Sequence, residues 1–123
     1  MEIKVTEVLQ VLSDSTRLRI LRLLDQKELS VAELQEILEM GQSRISSHLA
    51  LLRRYNMVSD RKEVKKTFYT LSLGSAKHFE VVRIALGVES DEEFWTADQS
   101  SLLRIVERRR RASEQYFDEV AER

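Results

Sequence analysis

Cysteine and proline are both absent from this 123-residue chain, and glycine occurs only three times, at Gly41, Gly74 and Gly87. Without cysteine there is no disulfide framework, no thiolate metal site and no cysteine nucleophile. Without proline, and with so little glycine, few positions interrupt a helix, so a mostly helical protein is expected. Long apolar stretches are missing as well: the uncharged apolar runs span a few residues, against the roughly 20 that a membrane-spanning helix requires. No signal peptide is evident, since Met1-Glu2-Ile3-Lys4 leads directly into amphipathic sequence. The expectation is a cytoplasmic protein with no membrane contact. A composition of 42% hydrophobic and 33% charged residues in 14.4 kDa suits one compact domain rather than a disordered tail.

The net charge of −1 conceals an uneven distribution. Residues 1–41 carry five basic and eight acidic side chains, a balance of −3, and residues 71–123 carry eight against eleven, again −3. Between them, residues 42–70 hold Arg44, Arg53, Arg54, Arg61, Lys62, Lys65 and Lys66 against Asp60 and Glu63, a balance of +5. A basic stretch between acidic flanks fits a local polyanion contact, while chance clustering on a solvated face is the bland alternative.

Apolar spacing organises the chain into helices. Ile3, Val8, Leu9 and Leu12 form an interrupted stripe over residues 2–12. Asp14 is a natural N-cap for a second helix reaching about Asp25, with Leu18, Ile20, Leu21, Leu23 and Leu24 apolar. Ser30-Val31-Ala32-Glu33 reads as a capping box opening a third helix, whose buried side is Val31, Leu34, Ile37 and Leu38. Gly41 punctuates, and a fourth helix runs from about Gln42 to Arg54, where Ile45, Leu49 and Leu52 must face a core. Its opposite arc carries Ser43, Arg44, Ser47 and Arg54, flanked by Gln42 and Ser46. Such short, hydrogen-bonding side chains can enter a DNA groove, and free N–H groups at the helix start suit a phosphate. Asn56 tolerates the left-handed conformation that ends a helix.

From Val58 the period becomes two, and Thr67-Phe68-Tyr69-Thr70-Leu71 is rich in β-branched and aromatic residues. The expectation is a hairpin with a basic tip formed by Arg61, Lys62, Lys65 and Lys66. Together these elements describe a winged helix-turn-helix, mainly α with a small β-hairpin (an α+β class), against a generic α+β domain as the alternative. After Gly74 a further helix runs to about Gly87 with Phe79, Val82, Ala85 and Leu86 apolar. Residues 88–97 read as an acidic linker. Thr96-Ala97-Asp98-Gln99 caps a last long helix over 98–123, on which Leu102, Leu103, Val106, Tyr116, Phe117 and Val120 are interrupted by Arg108–Arg111.

The stretches VLSDSTRLRILRLL, ELSVAEL, GQSRISSHLALLRRYNMV and KTFYTLS, in that order, resemble the ArsR/SmtB family of bacterial winged-helix repressors. The resemblance covers roughly Val8 to Ser72. It implies a homodimer built from the first and post-wing helices, with recognition helices in successive major grooves and wings on the flanking backbone. By resemblance the DNA-contacting helix positions fall on Gln42, Ser43, Arg44, Ser46 and Ser47, and the wing positions on Arg61, Lys62, Lys65 and Lys66.

Three departures from the family pattern matter. Ser30-Val31-Ala32 stands where metal-sensing members carry a cysteine pair, and it cannot bind a soft metal. The post-wing helix offers only His78 and Glu80 where others place ligands, and residues two apart on a helix point in different directions. The wing tip, usually glycine, is Val64, so the turn is not expected to be of the tightest type. A second resemblance lies in VERRRRASEQYFDEVAER, which is similar to the connector between DNA-binding and S-adenosylmethionine-dependent methyltransferase domains in a subfamily of these regulators. It implies an alternative role, the regulatory module of such an enzyme, although no glycine-rich loop here can hold that cofactor.

Other candidates carry competing readings. His48 contacts a phosphate or base, or else packs against the neighbouring helix. His78 is expected at the surface. Glu89, Asp91, Glu92 and Glu93 either gather a hard cation or are simply solvated. Arg108–Arg111 touch DNA, pair with the acidic linker, or form an exposed helix face. Trp95 beside Phe94 anchors the linker onto the domain. No nucleophile has an evident base, so no enzyme activity, cofactor or metal is expected. The chain reads as a dimeric repressor of residues 1–87 on a palindromic double-stranded operator, with a small-molecule effector left open.

Overall fold

The computed structural model of the chain describes residues 2–74, 78–88 and 92–121. Among the described residues six helices and three short strands follow one another as α1 (Val5–Leu12), α2 (Ser15–Gln26), β1 (Leu29–Ser30), α3 (Val31–Leu38), α4 (Gln42–Arg54), β2 (Val58–Lys62), β3 (Thr67–Leu71), α5 (His78–Gly87) and α6 (Glu92–Ala121). Asp14 caps α2 by accepting the Arg17 amide at 3.0 Å. Ser30 and Glu33 form the expected capping box on α3, each side chain accepting the other's backbone N–H at 3.2 and 2.8 Å. These polar signals set the register with which each apolar stripe meets the core.

One core is shared by all the helices. Ile20, Leu21, Leu23 and Leu24 of α2 meet Leu34, Ile37 and Leu38 of α3 and Ile45, Leu49 and Leu52 of α4, with Val8, Val82 and Ile105 added from α1, α5 and α6. Each fully buried aliphatic side chain contributes about 1.5–3 kcal/mol through water exclusion. The burial of Ile45, Leu49 and Leu52 fixes which face of α4 looks outward.

The sheet is antiparallel, in the order β1-β3-β2. β2 and β3 form the hairpin, pairing Val58 with Leu71 through to Lys62 with Thr67, so residues 63–66 are its tip. Strand β1 has no counterpart in the sequence reading: two residues, Leu29 and Ser30, pair with Tyr69 and Phe68, and two residues cannot display an alternating pattern. Ser30 thus closes a sheet edge and caps α3 at once.

Other expectations need correction. Gly41 does lie in the break between α3 and α4, with an ordinary φ of −69°, and the left-handed residue of that turn is Glu39 (φ 54°). Asn56 does take the left-handed conformation, at φ 58°. The last helix begins at Glu92, not 98, so most of the expected 88–97 linker is helical and Thr96 lies inside α6. Nothing in Glu92–Ala97 breaks a helix, and Phe94 gains a partner there, Arg19 lying 4.2 Å from its ring centre. Of the apolar residues on α1 and α6, Leu9 and Leu103 are exposed, whereas Val11 and Ile105 are buried. His78 is half-buried rather than solvent-facing, its ring 4.4 Å from that of Phe79. The expected start of α5 at 75–77, the acidic Glu89 and Asp91, and the end of the 98–123 helix at 122–123 lie outside the described residues. No described helix is long and apolar enough to cross a membrane.

Candidate nucleic-acid interface

Helices α3 and α4 are joined by Glu39, Met40 and Gly41, a three-residue turn of the helix-turn-helix kind. Because the apolar face of α4 is fully engaged, Gln42, Ser43, Arg44 and Ser47 stand in solvent and Ser46 is half-buried. Gly41 caps α4 with no side chain over the helix end, so the first amides of α4 are left without a side-chain acceptor. At this end the helix dipole adds a partial positive charge to that of Arg44.

His48 sits half-buried one turn along, with Asp14, Arg17 and Arg44 as its charged surroundings. Burial, followed by repulsion from Arg17 and Arg44, outweighs the attraction of Asp14 and lowers the imidazole pKa below 6.5. The unfolded chain therefore binds this proton more readily than the folded one. The stability linked to His48 is present above pH 6.5 and is lost as pH falls through the depressed pKa. In urea unfolding across the imidazole range, His48→Gln is expected to flatten this part of the stability profile. An identical profile in the variant would contradict the assignment.

The wing brings the second set of charges. Its tip is closed by the Glu63 amide donating to the Lys66 carbonyl at 2.8 Å, and Val64 is wholly exposed. Among the described residues, no left-handed residue occurs in this tip, in keeping with the absence of glycine there. Lys62, Lys65 and Lys66 are exposed and make no ion pair among the described residues. Arg61 differs from them. It donates to Glu28 at 3.3 and 2.6 Å and to Glu63 at 2.5 Å, and its guanidinium lies 4.8 Å from the Phe68 ring centre. That hydrogen bond and charge hold the Glu28 carboxyl below its ordinary range. Helix and wing are tied together where Arg53, in the last turn of α4, pairs with Asp60 of β2 at 3.3 Å.

The Arg108–Arg111 run pairs with acidic groups of α3 and of α6 itself. Arg108 reaches Glu36 at 3.1 Å, and Arg109 holds Glu33 through both carboxylate oxygens while also donating to the Glu28 carbonyl at 3.0 Å. Arg110 and Arg111 pair within α6, on Glu107 and Glu114. The involvement of Glu28, Glu33, Phe68 and Arg109 has no sequence signal, since the partners of Arg109 lie up to 81 positions away. Among the described residues no three His, Asp or Glu side chains gather as a metal site.

The family model described as bacterial regulatory protein, arsR family, matches residues 14–60, which run from the α2 cap through the helix-turn-helix into β2. The chain is 46% identical to the transcriptional activator HlyU of Vibrio cholerae over 74 residues, 60% of this chain and 68% of the relative. It is 36% identical to the arsenical resistance operon repressor of Escherichia coli over 101 residues, 81% of this chain and 80% of the relative. A solved homodimeric winged helix-turn-helix DNA-binding domain from Mycobacterium bovis, a possible ArsR-family transcriptional regulator, superposes with a TM-score of 0.55. Its identity is 27%, and the match covers 66% of this chain and 70% of that one. With an exposed polar recognition helix, a lysine-tipped wing and relatives matched over most of their length, the chain belongs to the ArsR family of winged helix-turn-helix, DNA-binding transcription regulators.

Proposed function

We propose that this protein is a homodimeric repressor that reads a palindromic operator with α4 and grips the flanking phosphates with its wing. The observation that carries this reading is the outward face of α4, where Gln42, Ser43, Arg44 and Ser47 are exposed and Arg44 makes no ion pair among the described residues. An arginine there can donate two hydrogen bonds to a guanine edge, and the serines and Gln42 can read neighbouring bases. Ser46 and His48, half-buried on the flanks of that face, line the edge of the same contact. Lys62, Lys65 and Lys66 supply the salt-dependent attraction to phosphate. Arg61, held by two carboxylates, shapes the wing more than it serves as a free charge.

The dimer follows from surface that a single copy leaves open. Helices α1 and α5 pack on each other, yet Val5, Leu9, Ile84 and Val88 remain exposed beside them. The homodimeric state of the Mycobacterium bovis domain and the repressor role of the Escherichia coli relative support the same reading.

Selection of bound sequences from random duplex DNA yields the operator, and two variants then test the division of labour. Arg44→Ala is expected to lose about 1–3 kcal/mol of discrimination between operator and random duplex. Lys65→Ala with Lys66→Ala weakens both duplexes alike and reduces the salt slope by about 2. If both variants lose equally on the two duplexes, helix and wing do not divide the work in this way. If wild type shows no salt-dependent gel shift, the winged helix serves some partner other than DNA.

A further inference from the structure

We propose that Arg109, far along the C-terminal helix, is a positioning residue for the wing, acting on DNA affinity through Phe68, Lys65 and Lys66 without touching DNA. The inference rests on the wing-to-phosphate reading above and adds to it a control from α6.

Three bodies meet at this side chain. From α6, the Arg109 Nε donates to Glu33 Oε2 at 2.8 Å, and its Nη2 donates to Glu33 Oε1 and to the Glu28 carbonyl, the latter at 3.0 Å. The same guanidinium lies 5.6 Å from the ring centre of Phe68 on β3, within range of a cation–π attraction. Glu33 is the carboxylate of the α3 capping box, so the helix-turn-helix and the wing are fastened to α6 through one group. Phe68 pairs with Arg61 on one neighbouring strand and with Ser30 on the other, and Arg61 also lies over its ring. Phe68 is therefore the point at which a force on the sheet reaches the wing tip, two residues away at Lys66.

Electrostatics point in the same direction. Glu28, Glu33, Glu36, Arg61, Lys66, Arg108 and Arg109 line a single cleft between α3, α6 and the wing. Each carboxylate in it is occupied by an arginine: Glu28 by Arg61, Glu33 by Arg109 and Glu36 by Arg108. Lys66 is thereby left without an ion pair among the described residues, and its charge is available to phosphate. Burial works to raise the Glu33 pKa, but the Arg109 and Ser30 hydrogen bonds prevail and keep it lowered, so this carboxyl is charged at neutral pH. Without Arg109, the negative Glu33 faces the cleft uncompensated and draws Lys66 inward.

The test compares Arg109→Gln, Lys65→Ala with Lys66→Ala, and the triple variant on random and selected duplex DNA over a range of salt. Arg109→Gln is expected to weaken both duplexes about five- to tenfold and to lower the salt slope by about 1–2. In the Lys65→Ala, Lys66→Ala background it is expected to cost less than about twofold further, because the groups it positions are already gone. Arg109→Lys, which keeps a charge near Glu33 but loses the paired hydrogen bonds and the planar contact with Phe68, is expected to reproduce the effect in weaker form and decides the matter if Arg109→Gln does not fold. Amide hydrogen exchange without DNA separates this proposal from the DNA reading. In Arg109→Gln, β3 amides are expected to exchange about tenfold faster while those of α4 keep their wild-type rates. Additive losses in the triple variant, unchanged affinity in the single ones, or an unaltered β3 exchange rate would each overturn the role of Arg109.

Discussion

Replacing Asp98 with alanine is expected to destabilise the folded chain by about 3–5 kcal/mol. Asp98 accepts two hydrogen bonds from Arg19, at 2.9 and 2.8 Å, and both side chains are almost wholly buried between α2 and α6. The alanine variant leaves the Arg19 guanidinium in place beside the Phe94 ring, without its carboxylate. An isolated buried cation costs far more than the pair itself ever contributed. A domain of this size has only about 5–15 kcal/mol to lose, so such a change is visible in a single unfolding curve. Urea denaturation is expected to show a lower midpoint at an unchanged slope. Arg19→Met combined with Asp98→Leu removes both charges and is expected to recover most of the loss. A decrease below about 1 kcal/mol in Asp98→Ala would mean that water reaches Arg19 and that this pair does not anchor α6.

That anchor illustrates what a sequence shows and what it hides. Helix α4 was legible to the residue at both ends, because Ile45, Leu49 and Leu52 repeat at helical spacing and Asn56 supplies a stop. The capping box at Ser30 and Glu33 and the hairpin strands were legible for the same reason: each signal is local and short in range. The exposed polar face of α4 then follows by exclusion from the core. Contacts between distant positions leave no such trace. Nothing in Asp98 marks it as the partner of Arg19, and nothing in Glu33 shows that it serves a helix cap and an arginine from α6 together. The left-handed residue of the α3–α4 turn, Glu39, leaves no local signal either, because glutamate is not a residue type that favours this conformation. Basic residues were likewise countable but not assignable. Only coordinates separate Arg61, tied down by Glu28 and Glu63, from the three lysines that remain open to a polyanion.

Charge introduced on the outer faces of α1 and α5 is expected to do more to DNA binding than the loss of any one contact to a base. Leu9→Glu together with Ile84→Glu places carboxylates where the proposed dimer buries apolar surface. Both positions are more than half exposed in the single chain, at 51% and 70%, so the fold itself loses little. In a dimer, burying four unpaired carboxylates at the two-fold interface is prohibitive. Sedimentation at micromolar concentration is expected to show a dimer for the wild type and a monomer for the variant. A monomer presents one recognition helix and one wing, and the second half-site no longer benefits from tethering. Operator affinity is then expected to fall by a factor of about 10²–10⁴, while the helical content stays near that of the wild type. A variant that sediments as a dimer, or a monomer that binds the full operator as tightly as wild type, would show that the exposed residues of α1 and α5 cover some other surface.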